Sequence, residues 1–209
     1  MKFTLPTGRY LQSHPLYYTV EIYESIGILD SHTVNMEILF PENYSSVLKQ
    51  YDPILFRLSL LFNKDNVHIS GFYNNTYIYY TFSTEDEINA VRRIGKDAIK
   101  TILRYLVENN LINSNAIVTL TASAHECVTS IEEIASKSNN ELINEYLIHY
   151  PEDYDEYLRY LDRDYLISMV CRIIQNKKLI SYYESLGFTV SDYSSGVGPK
   201  MSASVDRLI

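Results

Sequence analysis

Residues 176–188 read NKKLISYYESLGF, and this stretch decides the reading of the chain. Leu179 to Leu186 carries no Pro or Gly and continues a helix. Gly187 closes it, because glycine takes the left-handed helix terminus without a Cβ penalty. Phe188 to Tyr193 then reads as a strand, and Met201 to Ile209 as its partner. Tyr183 has two open roles, a core-facing aromatic or a working phenol.

Upstream, Tyr154, Tyr157, Leu158, Leu161, Tyr165, Met169 and Ile173 predict one stripe of an amphipathic helix. Asp153, Asp155, Glu156, Asp162 and Asp164 fall to its solvated side. Ser130 with Glu133 fits a capping box before Ile131 and Ile134, and Glu141 to Ile148 is a further helical run. Residues 125 to 175 are therefore helical throughout. Ala116 to Ala122 (AIVTLTA) precedes them as a short strand, apolar enough to expect burial on both faces.

The first third of the chain reads as strands. In Leu16 to Ser25, Tyr18, Val20 and Ile22 fall on one face, with Tyr17, Thr19, Glu21 and Tyr23 on the other. Further strands are expected at His32 to Phe40, Ile54 to Phe62, Val67 to Phe72 and Thr76 to Phe82. Tyr73-Asn74-Asn75 reads as a hairpin turn between the last two, and Tyr44 to Tyr51 as a short helix. Thr84 to Glu87 fits a capping box, and Ile88, Val91, Ala98, Ile99, Ile102, Leu103 and Leu106 then recur at helical spacing to about Asn109. This order of elements predicts a mixed α/β fold in a single domain spanning residues 1–209.

Composition narrows the function. The 209 residues carry a net charge of −8 and no long Lys/Arg run, so a phosphate backbone would be repelled and nucleic-acid binding is not expected. An acidic surface suits cationic substrates such as amines or Lys-rich peptides. Cys127 and Cys171 lack the spacing of a zinc site, and no metal is expected. With no signal-like start and no apolar run of membrane length, a cytoplasmic location with no membrane contact is the expectation. The 20 Tyr fit the codon bias of an AT-rich genome.

Asn176, Tyr183, Glu184, Gly187 and Phe188 stand at the spacings of the last motif of the GNAT superfamily of N-acetyltransferases, which this segment resembles. Only the motif's usual Ala differs, replaced by Leu179. The resemblance implies a central mixed, mostly antiparallel sheet flanked by helices, with residues 125–175 as a helical insertion before the last motif. It implies an acetyl-CoA-dependent transfer to a primary amine on a small molecule or peptide. Tyr183 would protonate the departing thiolate and Asn176 would hydrogen-bond the pantetheine arm. The pyrophosphate cradle would fall on Arg92-Arg93-Ile94-Gly95-Lys96-Asp97-Ala98, with Arg92, Arg93, Gly95 and Lys96 as its contacts.

That cradle departs from the family pattern, since Asp97 stands where a small residue is usual. Two readings stay open there. Either a helix starts near Arg92 and its free amides take the anion, or one helix runs from Thr84 through Gly95 and uses those amides internally. For the general base, His125 is the candidate, being a group that titrates near neutrality just past a strand end; Glu126 and Glu21 are weaker. The insertion could form a substrate lid, a partner surface or a solvated addition. The alternative function is a GNAT-fold protein that has lost catalysis and acts as a binding or structural module.

Overall fold

The structure is a computed structural model, and it describes residues 1–25, 30–42, 53–74, 84–123, 131–149, 158–192 and 198–209. The architecture is mixed α/β; the first five strands pair antiparallel in succession, as do the last two, and the fifth and sixth pair parallel. The described residues form two compact units, Met1–Leu120 with Ala203–Ile209, and Thr121–Ser202.

In the first unit β1 (Lys2–Leu11), β2 (His14–Glu24), β3 (His32–Leu39), β4 (Ile54–Phe62) and β5 (Asn66–Asn74) form an antiparallel meander. Period-2 alternation set their faces: Tyr18, Val20 and Ile22 on β2, Val34, Met36 and Ile38 on β3, and Phe56, Leu58 and Leu60 on β4 are all buried. Burying each such side chain is worth about 1.5–3 kcal/mol, and a one-residue slip would expose the whole set. The β6 strand (Ile117–Thr121) runs parallel to β5.

Several expectations are corrected here. Lys2–Leu11, for which the sequence suggested no element, is a strand. Tyr73 and Asn74 are not a hairpin turn. They extend β5, opposite Arg57 and Phe56, because the backbone ladder with β4 continues through them. β6 is not buried on both faces; Val118 and Leu120 are buried while Ile117 is exposed. The expected strand at 76–82 and the short helix at 44–51 lie outside the described residues.

The helical run from Thr84 to Asn109 is two helices, α1 (Glu85–Val91) and α2 (Ile94–Glu108). Between them Arg93 takes a left-handed conformation, φ 59°. From there Ile94, Ala98, Ile99, Ile102, Leu103 and Leu106 form the buried stripe of α2.

The second unit holds α3 (Ile131–Ala135), α4 (Asn139–His149), α5 (Arg163–Leu186), β7 (Thr189–Asp192) and most of β8 (Lys200–Ser204). The helices share a core of Ile134, Leu142, Ile143, Leu158, Leu166, Val170 and Cys171. The buried stripe of α5 is Leu166, Val170 and Ile173. Tyr165, expected on that stripe, is exposed, because the helix starts at Arg163 and sets the phase one residue later. Asp162 is its N-cap, accepting from the Asp164 N–H at 2.8 Å. β7 and β8 pair antiparallel. The last expected strand ends early, since Val205–Leu208 forms a helical turn, α6, in the first unit.

Candidate functional site

The β5 and β6 strands part after three residue pairs, the last being His68 with Thr119. β5 nonetheless stays paired with β4 to Asn74. The cause lies in β5: Ser59 faces Gly71 and Leu60 faces Ile69, so Ser70 is an extra, bulged residue. A bulge bends its strand, so beyond Ser70 the β5 strand can follow β4 while leaving β6. The start of α2 lies against the far end of this bent strand. A Cβ added at Gly95 would stand 2.2 Å from Phe72 Cζ, so only glycine lets the helix approach so closely. Phe72 in turn meets Phe56 edge-on, centroids 5.2 Å apart.

The α1–α2 junction settles the two readings of residues 84–109 in favour of a break. The N-cap of α2, Arg93, makes no side-chain capping hydrogen bond. Lys96 N–H bonds back to Arg93 C=O at 3.1 Å. Arg92 and Arg93 are exposed and Lys96 is half-buried. An uncapped helix start with three cationic residues at or next to it is chemically suited to an anion. Gly95 contributes close packing there, a role its place in the family pattern did not suggest.

Sequence reading missed Arg9. Thr7, Gly8 and Arg9 form a bulge in β1, where Pro6 faces Tyr17 but Tyr10 faces Pro15. Thr7 Oγ1 donates to Leu16 C=O at 2.7 Å and accepts from Arg9 N–H at 3.0 Å. Gly8 has φ 69° with nothing near its Cβ position, so backbone conformation alone calls for glycine there. The bulge delivers the Arg9 guanidinium to the junction. Nη1 is shared by the carbonyls of Asn89 (3.0 Å), Ala90 (3.1 Å) and Arg92 (2.6 Å), and Nη2 pairs with the Asp97 carboxylate. A cation there also complements the negative end of α1. Within electrostatic reach of this pair is Tyr18, 1% exposed, whose hydroxyl has no hydrogen-bond partner among the described residues. Burial, and then the Asp97 charge, hold its phenol well above the usual tyrosine range. An open depression of about 670 Å³ flanks Arg9, lined by Gly8 to Tyr10, Gln12, Ser13 and Asn89 to Ala90.

Asn176 and Tyr183 belong to the second unit. Seven residues apart on α5, they share one helix face about 10 Å apart along the axis. Asn176 is 7% exposed, one of two buried polar residues among the described residues. Tyr183 is 8% exposed and meets Tyr182 and Phe188 edge-on, centroids 5.3 Å and 5.8 Å away. Burial first, and the neighbouring Tyr182 second, push its phenol up to about 12. Gly187, φ 112°, closes the helix in a Schellman motif: its N–H bonds Glu184 C=O at 2.9 Å and Phe188 N–H bonds Tyr183 C=O at 3.1 Å. That cap fixes the backbone of Tyr183.

His125 and Glu126 lie outside the described residues. Glu21 is held in an ion pair with Lys2 at 2.6 Å, on the strand pair β1–β2. No helix among the described residues is long and apolar enough to cross a membrane. No family model, no curated protein and no solved structure matches the chain.

Proposed function

We propose that the chain is a divergent GNAT-like N-acetyltransferase, transferring the acetyl group of acetyl-CoA to a primary amine in the cytoplasm. The observation that carries this is the parting of the parallel strands β5 and β6, with the uncapped start of α2 held against the bent strand by Gly95 and Phe72. Parted parallel strands turn a strand edge towards an extended, amide-bearing arm, as in strand addition. A free helix start surrounded by Arg92, Arg93 and Lys96 suits a diphosphate. Acetyl-CoA carries both groups in one molecule.

In this reaction the amine nitrogen attacks the thioester carbonyl. The new C–N bond forms, the C–S bond breaks, and the leaving thiolate needs a proton. Tyr183 is the proposed donor, with Asn176 as a contact to the pantetheine arm. A phenol held at about 12 stays protonated at neutral pH and is available to donate. His125 remains the proposed base for the amine. Much of the acceleration would come from holding amine and thioester together.

A second function, a binding or structural module on a GNAT-like fold, is favoured by one feature: the Asp97 carboxylate in the first turn of α2. Calorimetry with acetyl-CoA on the full chain separates the two. Micromolar binding is expected, and no binding at millimolar cofactor would leave the module reading in possession. Given binding, Tyr183→Phe should lower kcat roughly 10²-fold or more with little change in affinity for acetyl-CoA.

A further inference from the structure

An acid in the first turn of α2 should repel a diphosphate, and it is met by a cation brought from a different element. We propose that Arg9 is a positioning residue of the α2 anion site: it neutralises Asp97 and holds the last α1 carbonyls, keeping the break before α2 open to a diphosphate. This rests on the acetyl-CoA reading and extends it to a residue on the first strand.

Arg9 is committed to this place by backbone as well as side chain. The two-residue bulge, the left-handed Gly8 and the Thr7 hydroxyl bonds all serve to turn a β1 side chain inward. Its guanidinium then spans the junction, on α1 carbonyls at one end and on Asp97 at the other. Without Arg9, the α1 carbonyls and the carboxylate would together present a negative surface at the start of α2. With it, Arg92, Arg93 and Lys96 are the uncompensated charges nearest the free amides.

Tyr18 is an independent sign that the junction is built for polar contact. Its buried hydroxyl lies within electrostatic reach of both Arg9 and Asp97 and has no hydrogen-bond partner. Buried hydroxyls are nearly always satisfied.

The test uses calorimetry on the full chain with two probes, coenzyme A and S-acetylpantetheine, which lacks the diphosphate and nucleotide. Arg9→Met should weaken coenzyme A about tenfold or more by leaving Asp97 unopposed, while changing S-acetylpantetheine by less than about twofold. Adding Asp97→Asn to Arg9→Met should restore most of the coenzyme A affinity, a coupling that a double-mutant cycle isolates. Asp97→Asn alone keeps Arg9 and does not depend on the fold surviving its loss. It should tighten coenzyme A about threefold and steepen the salt dependence, since one more cation is then free. Equal weakening of both probes by Arg9→Met, no rescue in the double variant, or an unchanged affinity in Asp97→Asn would overturn the role given to Arg9. Failure of the unaltered chain to bind coenzyme A, by contrast, would remove the acetyltransferase reading and the Arg9 role together.

Discussion

Two helix starts in this molecule are braced by the same device and finished differently. At the α1–α2 junction Arg9 takes the carbonyls of Asn89, Ala90 and Arg92. At the α3–α4 junction Arg163 takes those of Ala135 (2.8 Å) and Lys137 (2.6 Å) and the Asn139 side chain. The α4 start is then sealed. Ser138 N–H bonds Glu141 Oε2 at 2.7 Å and Glu141 N–H bonds Ser138 Oγ at 3.3 Å, a reciprocal capping box. The α2 start carries no such cap. One helix end spends its donors on its own side chains, and the other keeps them for something else. That difference, more than basic charge, is what supports the anion site proposed at the α2 start.

The largest expected effect comes from removing the Arg9 brace. Arg9→Met leaves three carbonyls with one donor fewer and Asp97 alone, and should cost about 2 kcal/mol in urea unfolding, kept modest because Asp97 is nearly half exposed. Arg163→Met should cost about 1 kcal/mol, since its losses are hydrogen bonds without a stranded charge. A larger loss for Arg163→Met than for Arg9→Met would break the comparison.

Ser138→Ala should destabilise α4 by about 1 kcal/mol, the usual cost of a lost N-cap. It also carries a pH signature. Hydrogen bonds from the Ser138 backbone and hydroxyl hold the Glu141 carboxyl below its ordinary value of 4.5. A depressed carboxyl contributes stability above its unfolded pKa and loses it as pH falls through the folded one. Amide protection in the first turn of α4 should therefore decline below about pH 4.5 in the native chain and decline less in Ser138→Ala. The first turn of α2, lacking the box, should show no such dependence on a capping acid.

How far these features could be read in advance follows from what enforces them. Strands β2 to β5 were legible because one face of each is buried, so their alternation is a direct record of packing. The closure of α5 was legible too, since Gly187 followed by Phe188 specifies a local cap. The α1–α2 break was not. Arg92 and Arg93 are good helix formers, and the break is imposed from outside by the Arg9 brace and the Gly95–Phe72 contact, both long-range. Arg9 itself hid in a strand that Pro6 and Gly8 disguised. The Ser138–Glu141 box was there to be read and was passed over for Ser130–Glu133, whose first residue lies outside the described residues.

The smallest effect is the sharpest probe of the α2 junction. Tyr18→Phe removes one buried oxygen and leaves the buried ring in place. A hydroxyl with no partner contributes nothing to the fold and retains its desolvation cost, so its removal should be neutral or stabilising by up to about 1 kcal/mol. The usual result for a satisfied tyrosine is the opposite sign. Urea unfolding of Tyr18→Phe beside the native chain reads that sign directly. A stabilised variant that also binds coenzyme A more weakly would tie the open donor to the anion site. A destabilised one would mean that the hydroxyl has a hydrogen-bond partner, and would remove Tyr18 from the case for the anion site.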